Sequence, residues 1–244
     1  NLRRITRIAL LTTLSLILFV LEGFLPLPLP VPGAKLGLAA IVTLIALCTM
    51  SWRDAALMLA LSIVLASASP SRRFILESAG VDPIIHPANI DEDALIASLN
   101  DAPPREVILA LCAAKAEAVA AQYPDDIVIG CDSMLLLNGT LQGKPHTIDA
   151  TINRWKAQRG KTADLITGHC IVAPGGEQRV LDAASTSVTF GDVSDADIDA
   201  YARSGEPLKC AGAFTLEALG GWFIDRINGD PSNVIGLSLP LVRR

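Results

Sequence analysis

An α/β domain with a mixed sheet flanked by helices, preceded by an apolar helical hairpin, is the architecture this sequence predicts. Three observations carry that expectation. The chain divides by composition: between Ile8 and Trp52 the only charged side chains are Glu22 and Lys35, whereas from Ser62 onward charges recur as they do in water-exposed domains. Beyond that break, short apolar runs alternate with amphipathic, capped stretches, the pattern of strands and helices packed in layers. Hairpin signals occur among the crossovers, so the sheet is expected to mix parallel and antiparallel pairs. The division expected is an apolar, membrane-associated segment over 1–61 and an α/β domain over 62–244.

The N-terminal block comes first. Hydrophobic residues make up 51% of the 244-residue chain and charged ones 18%, with a mean hydropathy of +0.44, high for a chain lying wholly in water. Ile8 to Leu25 would give about 27 Å of helix, enough to span a bilayer. A Pro-rich turn, Pro26 to Gly33, separates it from a second apolar leg, Leu36 to Met50. Arg3, Arg4 and Arg7 flank the start and Arg53 the end, so the positive-inside rule puts both ends in the cytoplasm, with membrane contact through residues 8–50. A secretory signal peptide is the competing reading, but the apolar run is long for one and no A-x-A site follows.

The rest of the chain is read element by element. Ile63 to Ala66 is a buried strand, and Pro70 to Ala79 a helix with Ser69 as its cap and Pro70 at its first position. Arg105 to Gln122 is an alanine-rich helix, and Ile127 to Cys131 a second buried strand. Asn138-Gly139 between Leu135-Leu-Leu and Thr140-Leu141 is a type I′ hairpin turn, since both central residues accept positive φ. A helix over Thr147 to Gln158 and strands around Leu165 to Val172 and Ser185 to Phe190 follow, joined at Pro174-Gly-Gly176. Asp195 to Arg203 is a helix capped by Ser194, and Phe214 to Leu216 and Trp222 to Ile224 are final strands.

Charge and cysteine content exclude several functions. A net charge of -5 implies no basic face for duplex nucleic acid. Five scattered cysteines without a C-x-x-C, and three isolated histidines, His86, His146 and His169, fit neither a disulfide framework nor a zinc site.

Three places could carry chemistry. Ser67-Ala-Ser69-Pro70-Ser71-Arg72-Arg73 lies where a strand turns into a helix, and a helix N-terminus beside two arginines suits a phosphate. Its bland reading is a Ser-Pro cap with surface arginines. Asp91-Glu92-Asp93 offers oxygen ligands for a hard divalent cation, or simply dipole partners for a helix start. Asp132 directly follows a buried strand, where open sheets place ligands at strand ends. Gly143-Lys144-Pro145 fails as a P-loop, since the spacing from Gly139 is one residue short and Pro145 replaces the magnesium-binding Ser or Thr. Lys115 reads by itself as a solvated helix lysine.

Leu65-Ala-Ser-Ala-Ser-Pro-Ser-Arg-Arg73, Asp91-Glu92, Lys115-Ala116, Cys131-Asp132-Ser133, Gly143-Lys144-Pro145, Thr167-Gly168, Gly205-Glu206-Pro207, Ala211-Gly212-Ala213-Phe214 and Gly229-Asp230-Pro-Ser-Asn233-Val-Ile-Gly-Leu237 stand in the order of the Maf family. The resemblance covers Ile63 to the C-terminus and is closest to the actinobacterial branch. It implies a fold like that of inosine triphosphatases, a homodimer with a cleft between two lobes, and hydrolysis of nucleoside triphosphates, canonical or modified, to monophosphate and pyrophosphate with a divalent metal, Mg or Mn. Separately, Val31-Pro-Gly-Ala-Lys-Leu-Gly-Leu-Ala-Ala40 resembles the Gx transporter or heptaprenyl diphosphate synthase component I membrane family, with Ala40 where that family has Asn.

The Maf resemblance also implies roles. Ser67, Ser69 and Arg72 would hold phosphate oxygens, and Lys115 and Lys144 would neutralise the triphosphate. Glu92 and Asp132 would bind metal or position the attacking water, with Asp132 matching the family's proton acceptor. Ser71, Ser133 and Glu217 fall at positions that set base preference, and each differs from the dTTP/UTP-selective group's Arg, Thr and Gln. Cys210 replaces a common lysine. Two other functions compete: a nucleotide-binding regulator of cell division and septum formation that needs no catalysis, and a transport component read from the N-terminus.

Overall fold

The computed structural model describes residues 62–99 and 101–244. The apolar hairpin expected over 8–50 lies outside these residues; no described helix is long and apolar enough to cross a membrane. Seven strands form one mixed sheet, in the order β2-β1-β3-β5-β6-β7 with β4 attached to β3.

β1 (Ile63–Leu65) is a short apolar strand that pairs in parallel with both β2 (Ile84–Ile85) and β3 (Ile127–Leu137). Parallel neighbours need a crossover, supplied by α1 (Pro70–Ser78) between β1 and β2. Between β2 and β3 come α2 (Glu92–Ser98) and α3 (Pro104–Ala120). From β3 on, the sheet is antiparallel: β3 pairs with β5 (Thr162–Val172), β5 with β6 (Arg179–Phe190), and β6 with β7 (Ile224–Asn228). The hairpin expected at Asn138-Gly139 is present, with φ of 49° and 80°, and joins β3 to β4 (Thr140–Gln142).

Side-chain caps start two of the helices, at Ser194 as expected and at Thr147, the residue where the expected helix begins. Thr147 accepts from the Ala150 N–H ahead of α4 (Ile148–Gln158), and Ser194 from the Asp197 N–H ahead of α5 (Asp195–Arg203). Two short helices, α6 (Pro231–Ile235) and α7 (Leu239–Val242), close the chain. One large apolar cluster packs Trp155, fully buried, edge-on against Phe190 and Tyr201 with ring centroids 5.5 and 5.6 Å apart. The indole N–H donates to the Ala213 carbonyl at 2.7 Å, so the buried polar atom is satisfied.

Four expectations are corrected. β3 does not stop at Cys131 but runs to Leu137, because Met134-Leu-Leu-Leu137 continues the buried apolar run into the hairpin. Phe214 to Leu216 is not a strand: the Thr215 and Leu216 N–H groups donate to Tyr201 Oη at 3.3 Å and Glu217 Oε2 at 3.1 Å, side-chain acceptors in place of a ladder. Trp222 belongs to a 3₁₀ turn (Leu219–Phe223), made accessible by Gly220-Gly221, and the final strand starts only at Ile224. Ser69 stands at the cap position of α1 in extended conformation, yet its side chain bonds no helix N–H. Its own N–H donates instead to Ser67 Oγ at 3.2 Å, which leaves the first-turn N–H groups of α1 without that partner.

Candidate active site

The edges of β3 explain where a site can form. On one edge β5 pairs with it from Val128 to Leu136. On the other, β1 pairs with Ile127 to Ile129 and β4 with Leu135 to Leu137. Between them, Gly130 to Met134 has no strand beside it, a notch bounded by the end of β1 and the start of β4. Asp132 sits in the middle of that notch. The opening therefore comes from β1 ending early, and not, as expected, from an end of Asp132's own strand.

Successive residues of a strand face opposite sides, so Asp132 and Ser133 belong to two different groups. Asp132 faces α3. Its Oδ1 accepts from Lys115 Nζ at 2.5 Å, and the same ammonium lies 2.9 Å from Glu92 Oε1. Lys115, far from being solvated, is 7% exposed and stands on the buried face of α3 with Cys112 and Ala116. Asp132 is equally buried, while the Glu92 side chain keeps 43% exposure. Glu92 opens α2, whose cap is Asp91 accepting from Ala94 N–H at 2.9 Å.

Helix α3 reaches the sheet this closely because two strand residues lack side chains. A Cβ at Gly130 would lie 2.4 Å from the Cys112 carbonyl oxygen and 2.6 Å from the Ala116 nitrogen. At Gly168, the partner of Asp132 on β5, it would lie 2.9 Å from Ile108 Cγ2. Glycine inside a strand marks such a close backbone approach. Here the approach brings a buried lysine within hydrogen-bonding distance of a strand carboxylate.

Ser133 faces the other way, toward Arg72. The guanidinium is 8% exposed and donates four hydrogen bonds: to the Gly236 carbonyl and the Cys131 carbonyl at 2.8 Å, and to Ser67 Oγ and Ser133 Oγ at 3.0 Å. The Cys131 carbonyl belongs to the notch, so Arg72 takes the place that a neighbouring strand would fill. With five N–H donors, Arg72 has one left over for a ligand. Ser67 Oγ accepts from both Arg72 and the Ser69 N–H, which leaves its hydroxyl hydrogen free to donate outward. Ser133 Oγ lies 2.9 Å from Thr167 Oγ1, which in turn donates to the Asn233 carbonyl at 3.1 Å. Ser71 is half-buried in the first turn of α1.

Sequence reasoning missed His169. It is 2% exposed on β5, and its Nε2 accepts the Ser238 N–H at 2.8 Å, tying down the C-terminal segment whose Gly236 carbonyl receives Arg72. Burial, and then the Arg72 guanidinium, push its pKa from 6.5 down to about 4. The unfolded chain therefore binds a proton below pH 6.5 that the native protein refuses until pH 4. Stability from this group is complete above about pH 6.5 and falls as the pH drops toward 4, by roughly 3 kcal/mol in all. Urea unfolding between pH 7 and 4.5 should show that decline, and His169→Gln, which keeps an acceptor but cannot titrate, should flatten it.

Lys144 and Glu217 belong to two segments that backbone hydrogen bonds hold together. Lys144 is exposed and makes no ion pair among the described residues, and Glu217 is exposed with one oxygen on the Leu216 N–H. The Cys210 thiol is pushed up to about 11 by burial and by the charges of Glu217 and Glu206, against the pull of Lys144. The Lys144 loop is fixed to the same segment: the Gly212 N–H donates to the Gly143 carbonyl at 3.2 Å and the His146 N–H to the Leu208 carbonyl at 2.9 Å.

Among the described residues no three His, Cys, Asp or Glu side chains cluster as a complete protein cage for a metal. Two hard oxygen donors, Glu92 and Asp132, nevertheless converge on the Lys115 ammonium through one oxygen each, and their other carboxylate oxygens have no hydrogen-bond partner among the described residues. Magnesium-like ions are held in this way, by one or two carboxylates with water and phosphate oxygens completing the shell. The donor set fits such an ion.

Residues 62–244 match the profile of the Maf family, described as Maf-like protein, and residues 11–80 match heptaprenyl diphosphate synthase component I. A Corynebacterium diphtheriae protein named nucleoside triphosphate pyrophosphatase is 66% identical over 184 residues, covering 75% of this chain and 92% of that protein. Proteins of the same name from Corynebacterium glutamicum and Nocardia farcinica are 64% and 52% identical, each across 75% of this chain and 92% and 90% of their own lengths.

Proposed function

This chain belongs to the Maf family over residues 62–244, and from that premise we propose that it is a nucleoside triphosphate pyrophosphatase: water cleaves the bond between the α- and β-phosphates, giving monophosphate and pyrophosphate. The observation that carries the reading is the notch beside β3, with a buried carboxylate–ammonium pair on one face and, on the other, a buried guanidinium from the first turn of α1 bonded to the Cys131 carbonyl. Phosphoryl transfer asks mainly for positioning and charge stabilisation, and this arrangement offers both.

The residues divide the work. Lys115 fixes the Asp132 carboxylate, which aligns the attacking water and takes its proton. Ser67 and the remaining Arg72 N–H donate to phosphate oxygens, with Ser69 and the first turn of α1 beside them. Lys144, outside any ion pair among the described residues, neutralises the triphosphate. The notch by itself is close to neutral, since Lys115 and Arg72 are offset by Glu92 and Asp132. A highly charged triphosphate therefore needs further positive charge, which supports a requirement for Mg or Mn held by Glu92 and Asp132. Such an ion supplies charge against the phosphates and polarises the scissile anhydride. Ser71, Ser133 and Glu217 are the contacts for the base and sugar side.

The test is direct. The full chain, given a panel of canonical and methylated nucleoside triphosphates with Mg or Mn, should release pyrophosphate and monophosphate in equal amounts. Orthophosphate with diphosphate would point instead to an ordinary phosphatase and sink the reading.

The same proposal includes a homodimer with the inosine-triphosphatase-like fold of the family, and a catalytic domain on the cytoplasmic side, supported by the arginines flanking residues 8–50. It also holds that 1–61 is a membrane-associated segment separable from 62–244. No residue assigned to the site precedes Ser67, so a 62–244 protein should be soluble with turnover per folded molecule within about twofold of the full chain. A truncated protein that misfolds would make the segment part of the fold.

A further inference from the structure

The segment from Phe214 to Gly220 has no ladder to hold its backbone, so its shape depends on side-chain bonds. Three of the five converge on one carboxylate, Glu206, at the start of a 3₁₀ turn (Glu206–Lys209). Thr215 Oγ1 donates to Glu206 Oε1, and so does the Gly220 N–H at 3.0 Å; the Leu219 N–H donates to Oε2 at 3.1 Å. Both ends of the segment are thus pinned to a single side chain. Tyr201 Oη, 4% exposed, donates to the same Oε1 at 3.0 Å and accepts the Thr215 N–H at 3.3 Å. The Tyr201 ring leans on Trp155 and Phe223, so the clamp is anchored in the core. A Cβ at Gly220 would lie 2.5 Å from both Tyr201 Oη and the Thr215 carbonyl oxygen, so the loop is drawn in as far as a glycine allows.

Between the two pins stands Glu217, exposed, and just ahead of this segment the Gly212 N–H holds the Gly143 carbonyl, next to Lys144, at 3.2 Å. Resting on the pyrophosphatase reading, we propose that Glu206 is a positioning residue that sets nucleobase selectivity by clamping both ends of the segment that carries Glu217. The clamp needs an ionised carboxylate, since all four partners are donors. Burial opposes that charge, but the hydrogen bonds from Thr215, Gly220, Leu219 and Tyr201 outweigh it and hold the Glu206 carboxyl below its ordinary range. Glu206→Gln would remove the charge and turn an NH₂ group against either the Leu219 N–H or the three donors at Oε1, which loosens the clamp. Selectivity suffers first, because discrimination between bases depends on where a polar group stands, whereas the phosphates are held elsewhere.

The experiment measures pyrophosphate release by the full chain on triphosphates of the five common bases, for wild type, Glu206→Gln, and Thr215→Val, which removes one pin and keeps the volume. Glu206→Gln is expected to lower the ratio of kcat/KM between best and worst base at least about tenfold, mainly through KM for the best base, with its kcat within about threefold. Thr215→Val should lose part of the same discrimination, and Glu206→Asp should retain more of it than Gln does. Wild-type ratios in either folded variant, judged by the melting temperature, would overturn the proposal. So would a wild type that does not discriminate among bases, since the clamp would then have nothing to set. A wild type that releases no pyrophosphate from any triphosphate would instead overturn the pyrophosphatase reading.

Discussion

Asp132→Asn is expected to fold as the wild type does and to turn over at least about a hundredfold more slowly. The amide has the shape of the carboxylate but neither its charge nor its capacity to take a proton, and the proposed reaction uses both. Lys115 keeps Glu92 at 2.9 Å, so the variant does not strand a buried ammonium without a partner, and loss of activity is separable from loss of fold. Glu92→Gln should act in the same direction, because it removes the charge of the second proposed oxygen ligand and weakens the second anchor of Lys115. Single-turnover and steady-state pyrophosphate release at saturating nucleotide, with melting temperatures measured in parallel, check both. Near-normal turnover in Asp132→Asn would remove the residue from its role, and a melting temperature that collapses along with activity would make it structural.

Gly130→Ala should cost the domain far more stability than an added methyl suggests. The new Cβ meets helix backbone, the Cys112 carbonyl oxygen at 2.4 Å and the Ala116 nitrogen at 2.6 Å, and backbone cannot rotate out of the way as a side chain can. Either α3 lifts from the sheet or β3 bends, at a cost of about 3 kcal/mol or more. For a domain of this size that is roughly a 10 °C fall in melting temperature. Because lifting α3 also withdraws Lys115 from Asp132, the folded remainder should lose turnover as well. Gly143→Ala is the control: its Cβ would find only Met134 Cε, at 4.0 Å, and the melting temperature should stay within about 2 °C. Equal melting temperatures for the two variants would mean that the close approach is not what holds α3.

Much of the fold could be read from local chemistry. Thr147 and Ser194 announce α4 and α5 because a cap is a bond between near neighbours in sequence, and Asn138-Gly139 announces its hairpin because the turn needs two positive φ values. Phe214-Thr-Leu216 misleads for the opposite reason. Its alternation is that of a strand, but the donors that hold it go to Glu206 and Tyr201, partners that no pattern within the segment reveals. Likewise Glu206 is visible only as part of Gly205-Glu206-Pro207, with nothing to mark it as a four-donor hub.

The site was legible as residue types and not as geometry. Asp132, Glu92, Lys115 and Arg72 are all recognisable by family resemblance, yet Lys115 reads as solvated and Arg72 as a surface arginine when judged by their neighbours in sequence. What buries them is tertiary: α3 drawn onto β3 and β5, and the Gly236 carbonyl arriving from the far end of the chain. The signal that could have found the first of these was the pair Gly130 and Gly168, glycines within apolar strands, which mark a close neighbour without naming it. For His169 there was none, since its partner is a backbone N–H brought by the C-terminal segment.

The placement of the indoles gives the domain two optical channels. Trp155 is wholly enclosed among aromatic rings, whereas Trp222 is 87% exposed in the 3₁₀ turn whose first two residues are pinned to Glu206. In a 62–244 protein these are the only tryptophans. Emission from the first is blue-shifted and shielded from iodide, and it reports whether the core is intact. Emission from the second is red-shifted and open to iodide, and it reports the loop that carries it. The iodide-accessible fraction therefore follows that loop while the shielded fraction follows the fold, with no dye attached and no residue replaced.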